Sequence, residues 1–467
     1  MIAQQNDTSF FEGTSMIPSN VLMILKRLKD NNAEAFLVGG CVRDGILMRH
    51  PHDYDIATNI LLEDVAKLFP NAKILGKSFG VLKVEGVDIA TYRIDGKYSD
   101  HRHPDSVTFV KDIVQDLSRR DFTMNAIAFD GERYIDPFNG MDAIRRGIIQ
   151  TVNSPKIRFT EDPLRMLRAF RFSSVLGYNI SNSTFKAIRE LKSLIREISK
   201  ERVRCELLRM MSGKHLLGAL FSMSASGLMF ELLPDMAVCK GYKQNKYHRY
   251  DVLEHSFRVA NAVPKEKPLL RFAAFLHDMG KPVTCANYGT DEASFHNHEF
   301  IGADMAVTVL QALTFSNKEV DYITNMIRAH MFGYRQEMKN SAIRRLIRRV
   351  GMENIRDLMQ LKYADRVGNG LKEFSEFTWD TSLMKRIEQI DAEKSAFTRK
   401  DLAINGNDLK ELEIGDGKFM GFLLKACLDT VLENPELNTK EALISLVKTI
   451  ILEYNKDKVG ELNERKV

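Results

Sequence analysis

The sequence predicts an α+β protein, with a mixed α/β region first and an almost wholly helical remainder. Three observations predict it. AFLVGG (35–40) is a short apolar run ended by glycines, and residues 73–94 alternate strand-like segments with turns. From about residue 155 onward β-branched runs become scarce and apolar residues recur with a period near 3.6. Between the two regimes lies TVNSPKIRFTEDPLR (151–165), where Thr160 is placed to cap the helix that follows.

A chain of 467 residues is too long for one core, so about two to four domains are expected. Hydrophobic residues make up 44% and charged residues 28%, which excludes a disordered chain. No apolar run is long enough to span a bilayer, and MIAQQNDTSFFEGTSM has neither a basic leader nor an apolar core. No membrane partner and no secretory signal are therefore expected. The five cysteines are scattered without paired spacing, which points to a reducing, cytoplasmic setting and no structural zinc. A net charge of +5 permits a nucleic-acid partner, so the clustering of charge carries more weight than its total.

Taken in order, AFLVGGCVRDGIL reads as strand, glycine turn and helix. Gly39 and Gly40 let the backbone approach a ligand, and Arg43 in the first helical turn adds a cation for a phosphate. Ten residues on, HDYDIAT puts Asp53 and Asp55 on one side of an extended strand, because side chains alternate with period two. Two carboxylates on one side repel unless a cation lies between them. Hard oxygen ligands of this kind suit Mg²⁺ bound together with nucleotide phosphates. Asp88, in GVDIATYR on another predicted strand, is a candidate third carboxylate. In EDPLRMLRAFRF (161–172), Asp162, Arg165, Arg168 and Arg171 recur every third residue, while Leu164, Leu167, Phe170 and Phe172 form the buried side. In isolation that row is a salt-bridged surface.

A separate set lies in the histidine-rich region, about 245–370. His277 and Asp278 are adjacent after an apolar helical run, with His255 upstream and Asp365 downstream in helical patterns of their own. Imidazole and carboxylate ligands suit a divalent transition metal, which acidifies a bound water or polarises a phosphate ester. SAIRRLIRRV (341–350) carries Arg344, Arg345, Arg348 and Arg349 on neighbouring helical turns. GTDEAS (289–294) reads as a loop, 405–418 as a turn-rich break, and 434–454 as a terminal amphipathic helix.

GGCVRD, DYDIAT, DLSRRDFTMNAIAFD (116–130), DPFNGMDAIRRGII (136–149) and EDPLRMLRAFRF together resemble the class II tRNA nucleotidyltransferases. These are the CCA-adding enzymes and their poly(A) polymerase relatives, and the likeness covers roughly residues 35–215. It implies a polymerase β-like head at 1–150, a helical neck at 151–240, an HD-containing body at 241–370 and a helical, RNA-binding tail at 371–467. It also implies catalytic roles for Asp53, Asp55 and Asp88, with two Mg²⁺ ions on Asp53 and Asp55. Gly39, Gly40, Arg43, Arg120, Asp121 and Asn125 would serve the nucleotide. Asp162 and Arg165 would pair with the incoming base, supported by Arg168 and Arg171. The partners implied are tRNA, CTP and ATP.

TYRIDGKYSDHRHPDSVTF (91–109) resembles the loop of family members that add the terminal A, and Glu201, Arg202 and Glu206 match the neck motif. CCA addition is the expected reaction, with poly(A) or A-only addition as the alternative. The order H…HD…D over about 240–370 resembles the HD phosphohydrolases, with His255, His277, Asp278 and Asp365 as metal ligands. His298 and His330 lie where two-metal HD proteins place further ligands. That likeness implies hydrolysis of 2′,3′-cyclic phosphates or phosphomonoesters. In an RNA enzyme the arginines at 344–349 would hold the acceptor arm by its phosphates, and 397–424 resembles the family's tRNA-clamping tail. Two remoter readings are a metal phosphohydrolase with a degenerate head and a noncatalytic RNA-binding scaffold.

Overall fold

The computed structural model describes residues 17–76, 81–335, 337–371, 381–393, 397–414 and 417–464. The chain forms two compact units. The first runs to Tyr242 and adds Pro264–Phe272 and Val309–Ser316; the second holds Lys243–Val263, Ala273–Thr308 and the chain from Asn317 onward.

The first unit is built on a seven-stranded sheet. Its order is Lys73–Gly76, Val81–Val84, Val87–Thr91, Asp55–Thr58, Ala35–Val38, Ala128–Phe129 and Tyr134–Ile135. All four residues of Ala35–Val38 are buried, which is why that strand reads as an unbroken apolar run. Within this sheet only one described pair is parallel, Asp55–Thr58 with Val87–Thr91, and it sets Asp55 opposite Asp88. The helix Ser19–Asp30 buries Val21, Ile24, Leu25 and Leu28, one stripe of period 3.6. Phe36, Ala57, Tyr92, Leu117 and Ala128 form a core cluster of this unit.

The helical part of the first unit differs from the sequence expectation at one joint. Thr160 lies inside the helix Pro155–Glu161 and does not cap the next one. The chain breaks at Asp162 (φ −142°, ψ 97°) and Pro163, and the following helix spans Leu164–Leu176. Asp162 itself accepts the Leu164 N–H at 3.1 Å. The residue before a proline is pushed to extended backbone, so Asp-Pro ends one helix and starts another. Glycine at 177, with φ +78°, stops the second helix.

In the second unit, Asp251 caps the helix Val252–Ala262 by accepting the Glu254 N–H at 2.7 Å. That helix packs on Ile355–Asn369, which sets His255 beside Asp365. Gly280 lies against the start of the helix His298–Ala312: a Cβ there would come 2.7 Å from Gly302 N. Only glycine permits that approach, which brings His298 up to His277 and Asp278. Leu409, Leu423, Leu432, Leu443 and Val447 form a further core cluster. The terminal helix is Lys440–Glu464, starting later and ending later than expected, because Pro435–Leu437 forms a separate short turn of 3₁₀ helix. All five cysteines are free thiols. No helix of the described residues is long and apolar enough to cross a membrane.

Candidate active site and candidate metal centre

The strand Ala35–Val38 delivers the chain to Gly39, whose φ of +80° few other residues adopt. A Cβ there would meet Arg120 Nη1 at 3.1 Å and Asp55 Oδ2 at 3.6 Å, so glycine also keeps space open beside both. Asp55 opens its strand. Asp53 does not share that strand, contrary to the alternation argument: it stands exposed two residues ahead of it. Asp88 is held by Lys83 at 2.9 Å. Although Asp55 is exposed at the start of its strand, the protein around its carboxyl partly desolvates it and raises it above its ordinary range; Arg120 opposes this, and the charges of Asp88 and Asp53 reinforce it. Crowded oxygen donors of this kind fit Mg²⁺, although Lys83 already compensates Asp88.

Behind Asp55 lies a cavity of about 450 Å³. Gly39, Gly40, Arg43, Asp55, Arg120, Asp121, Asn125, Asp162, Arg165, Arg168 and Arg171 all line it, as do Arg119, Phe172 and Arg202. Asp53 and Asp88 are not among its lining residues. Seven arginines face three aspartates, a balance that draws a polyanion.

The wall is one connected network. Arg43 donates to Asn125 Oδ1 at 2.7 Å, Asn125 donates to Asp121 Oδ1 at 3.1 Å, and Arg168 grips Asp121 Oδ2 at 2.6 and 2.9 Å. Burial alone would raise the Asp121 carboxyl; Arg168, the Asn125 amide and Arg165 outweigh it and hold the group well below the usual carboxylate range. Arg171 forms an ion pair with Glu206, Nε 2.9 Å from Oε2, and burial brings its guanidinium down to about 10. Arg43, Arg168 and Arg171 all lie over the Phe172 ring, 4.0–5.6 Å from its centre.

Asp162 and Arg165 do not pair with each other. Asp162 Oδ2 accepts from Arg202 at 2.8 Å, while Arg165 holds Glu161 at 2.8 Å and the carbonyls of Arg158 and Arg119. An arginine has five N–H donors and a carboxylate about four acceptor positions, so each keeps capacity toward the cavity. Arg119 was not among the residues expected at a nucleotide site, and Arg202 entered only through the neck motif. Charge clustering in SRRD and in KERVRCE was the available signal.

The segment 91–109 begins and ends in a hairpin, Arg93–Asp95 against Val107–Phe109. Asp95 holds Arg93 at 2.9 Å and accepts from Tyr98 at 2.7 Å; His101 donates to the Thr160 carbonyl at 2.7 Å and meets Glu197 at 2.9 Å.

The second unit gathers all six predicted histidine and aspartate residues. His255 Nε2 lies 3.0 Å from Asp365 Oδ1 and 3.3 Å from Asp278 Oδ2, and His277 Nε2 is 3.1 Å from Asp278 Oδ2. On the other oxygen, Asp278 Oδ1 meets His298 Nε2 at 3.3 Å and His330 Nε2 at 3.8 Å. His277, His298 and His330 each donate Nδ1–H to a main-chain carbonyl three residues earlier, at 2.6–2.8 Å. Those bonds turn every Nε2 lone pair inward. The Nε2 atoms of His298 and His330 then face each other at 3.3 Å, a repulsive contact without a cation between them. Burial and the neighbouring His277 push His330 down to about 3, so it stays neutral. Although buried, His255 Nε2, His277 Nε2 and both Asp278 oxygens lack a well-directed hydrogen bond. Nitrogen and oxygen donors so arranged fit a divalent transition metal.

The arginines of the helix Asn340–Val350 part company. Arg344 is only 6% exposed and bonds the Leu432 carbonyl and Glu393, so it is not on the solvent face as expected. The helix's amphipathic packing turns it inward. Arg345 pairs with Glu433 and Arg348 with Asp429 at 2.7 Å, while Arg349 is exposed beside them at the same surface hollow.

Residues 35–150 match the poly A polymerase head domain, 177–240 the probable RNA and SrmB-binding site of polymerase A, and 246–370 the HD domain. The CCA-adding enzyme of Geobacillus kaustophilus is 46% identical over 222 residues, 46% of this chain and 54% of that relative. That of Lactobacillus helveticus is 42% identical over 219 residues, covering 46% and 55%. The chain thus matches about half the length of these curated relatives. Among solved structures, the Bacillus stearothermophilus CCA-adding enzyme in complex with CTP is 29% identical with a TM-score of 0.67, covering 94% of this chain and 98% of that one. The Thermotoga maritima CCA-adding enzyme complexed with tRNA shares the fold, at 19% identity and a TM-score of 0.53, over 93% and 97%. In this order the chain thus matches a poly A polymerase head, its RNA-binding segment and an HD domain, and over about half its length it is similar to CCA-adding enzymes.

Proposed function

We propose that this protein adds CCA to the 3′ end of tRNA, taking CTP and ATP without a nucleic-acid template. One observation carries the reading: the Asp162–Arg165–Arg168–Arg171 row and Arg202 line the same arginine-rich cavity as Gly39, Arg43 and Asp55. Cytosine and adenine each present an amino donor next to a ring-nitrogen acceptor. Asp162 accepts from the amino group and Arg165 donates to the ring nitrogen, a pairing that uracil and guanine reverse. Arg202 and Glu161 hold that pair in place from outside. Arg43, Arg120 and Asn125 take the triphosphate, and the Asp121–Arg168 pair keeps the wall rigid.

Asp53 and Asp55, with Asp88 in support, would hold two Mg²⁺ ions, which supply acidification of the attacking 3′-hydroxyl and charge neutralisation at the leaving pyrophosphate. Gly39 keeps the approach to Asp55 open. The working division is head 1–150, neck 151–240, HD body 241–370 and RNA-holding tail 371–467, acting in the cytoplasm. Arg345, Arg348 and Arg349 meet tRNA phosphates.

The histidine cluster carries a second activity, hydrolysis of 2′,3′-cyclic phosphates or phosphomonoesters at RNA ends. His255, His277, Asp278 and Asp365 would hold a divalent transition metal, with His298 and His330 on the far oxygen of Asp278; the metal supplies an acidified water. The test of the main reading is incubation with tRNA lacking its 3′ end, labelled CTP or ATP, and Mg²⁺. Ordered addition of C, C and A is expected. Long A tracts would make the chain a poly(A) polymerase, and no incorporation would sink the reading.

A further inference from the structure

Residues 236–250 contain no carboxylate, and Lys240, Lys243, Lys246 and Arg249 recur there every third residue. Lys243, Lys246 and Arg249 belong to the second unit and are exposed. Among the described residues none of these three pairs with a carboxylate. Tyr247 stands between them, 64% exposed. Lys246 Nζ lies 5.5 Å from the centre of its ring, and no aromatic ring of the described residues stacks on it.

The stretch is fixed from its inner side. Asn245 Nδ2 donates to the Ala293 carbonyl at 3.1 Å, and its Oδ1 accepts the Tyr247 N–H at 3.2 Å and the His248 Nδ1–H at 2.9 Å. The Arg249 N–H donates to the Asn369 carbonyl at 3.2 Å. His248 is half-buried, its ring perpendicular to that of His255 with 5.7 Å between centres. The histidine cluster therefore lies just inside a stretch whose exposed side chains are three cations and a tyrosine. Exposed cations alone form an ordinary solvated face. A fixed, exposed ring among unpaired cations suits single-stranded RNA, whose phosphates follow the cations while an unstacked base lies on the ring. A duplex offers no base face to the ring, and an acidic peptide would leave Tyr247 unused.

We propose that residues 243–249 form a track for single-stranded RNA that leads a 3′ end to the histidine cluster. A base stacks on Tyr247, and phosphates meet Lys243, Lys246 and Arg249. The proposal rests on the phosphohydrolase reading of that cluster. The probe is a single-stranded RNA of about ten nucleotides, ending in a 2′,3′-cyclic phosphate and carrying 4-thiouridine near that end. It is photo-crosslinked to the full chain and the adducts are mapped by mass spectrometry; the concentration dependence of each adduct gives the affinity of its own site. Adducts are expected within 243–249. Tyr247→Ala should weaken that site about five-fold or more, the scale of one base stack, and Tyr247→Phe should keep it. Lys243→Gln, Lys246→Gln and Arg249→Gln together should flatten the logarithmic salt dependence of that site by about two, as three phosphate contacts on a single strand require. Adducts only outside 243–249 overturn the track, as does an affinity within about two-fold of the parent in Tyr247→Ala or an unchanged salt dependence in the triple variant. Displacement of the RNA by polyglutamate at equal concentration also overturns it, because the surface would then serve an acidic peptide. Hydrolysis of the cyclic end is then followed after adding Mn²⁺. Adducts at the track without hydrolysis remove the phosphohydrolase reading and leave the track standing; hydrolysis without adducts there does the reverse.

Discussion

Replacing Arg165 by alanine separates base selection from triphosphate binding. Its guanidinium holds Glu161 at 2.8 Å and the carbonyls of Arg158 and Arg119 at 3.3 and 3.4 Å. Glu161 keeps a second partner, Arg158 at 2.6 Å, so no charge is stranded and the stability loss should stay near 1–2 kcal/mol. The N–H groups not used in these bonds are the ones available to a base. Losing one paired-donor contact to a base edge costs about 1–3 kcal/mol of discrimination, or about 5- to 150-fold. The assay is single-nucleotide incorporation into tRNA lacking its CCA end, comparing kcat/KM for CTP with that for UTP, with the melting midpoint as a control. The CTP preference should fall by that factor while the KM of the triphosphate moves less. A preference within about two-fold of the parent, combined with a much higher KM, would make Arg165 a phosphate ligand and refute the base-pairing argument.

Three further outcomes are expected. Gly39→Ala forces a Cβ into a backbone at φ +80° and to 3.1 Å from Arg120; incorporation should drop steeply with a loss of about 1–2 kcal/mol in stability, and near-parental incorporation would show that the glycine is not needed. Asp121→Asn leaves Arg168 only the more distant Glu206, at 3.8 Å, and should cost about 3 kcal/mol by chemical denaturation near neutral pH. Because the folded Asp121 carboxyl lies below its ordinary range, its contribution is present above an unfolded pKa of about 3.9 and is lost as pH falls toward the folded value. The gap between parent and variant should therefore narrow below about pH 4, and a gap independent of pH would contradict the ion pair. Removing divalent metal with a chelator should lower the melting midpoint of the parent, and His298→Ala with His330→Ala should shrink that shift; equal shifts would exclude these histidines as ligands.

Much of the chemistry was legible before the fold. Motif order pointed to the family resemblance, and all ten residues expected at the nucleotide site line one cavity. Of the six histidine and aspartate residues, His255 and Asp365 lie within helices, His298 begins one, and His277, Asp278 and His330 directly follow helix ends, so packing of the helices' apolar faces carries them together. The misreadings have local causes. Asp53 was placed on a strand by extending the alternation two residues beyond where pairing starts. Thr160 was made a cap although the Asp162–Pro163 step already marked the break.

What the sequence determined alone was the inventory: which segments are strand or helix, and where the acids, arginines and histidines fall. These follow from short-range periodicity and residue chemistry. Pairing partners were decided only by tertiary structure. The parallel register set Asp88 opposite Asp55, Arg202 came from forty residues away to hold Asp162, and Arg344 turned inward while Arg349 stayed exposed. Asp278 presents one oxygen to His255 and His277 and the other to His298 and His330 because Gly280 lets two backbones close to a distance no side chain permits. Contacts of this kind depend on where distant segments meet in space, which no local pattern encodes.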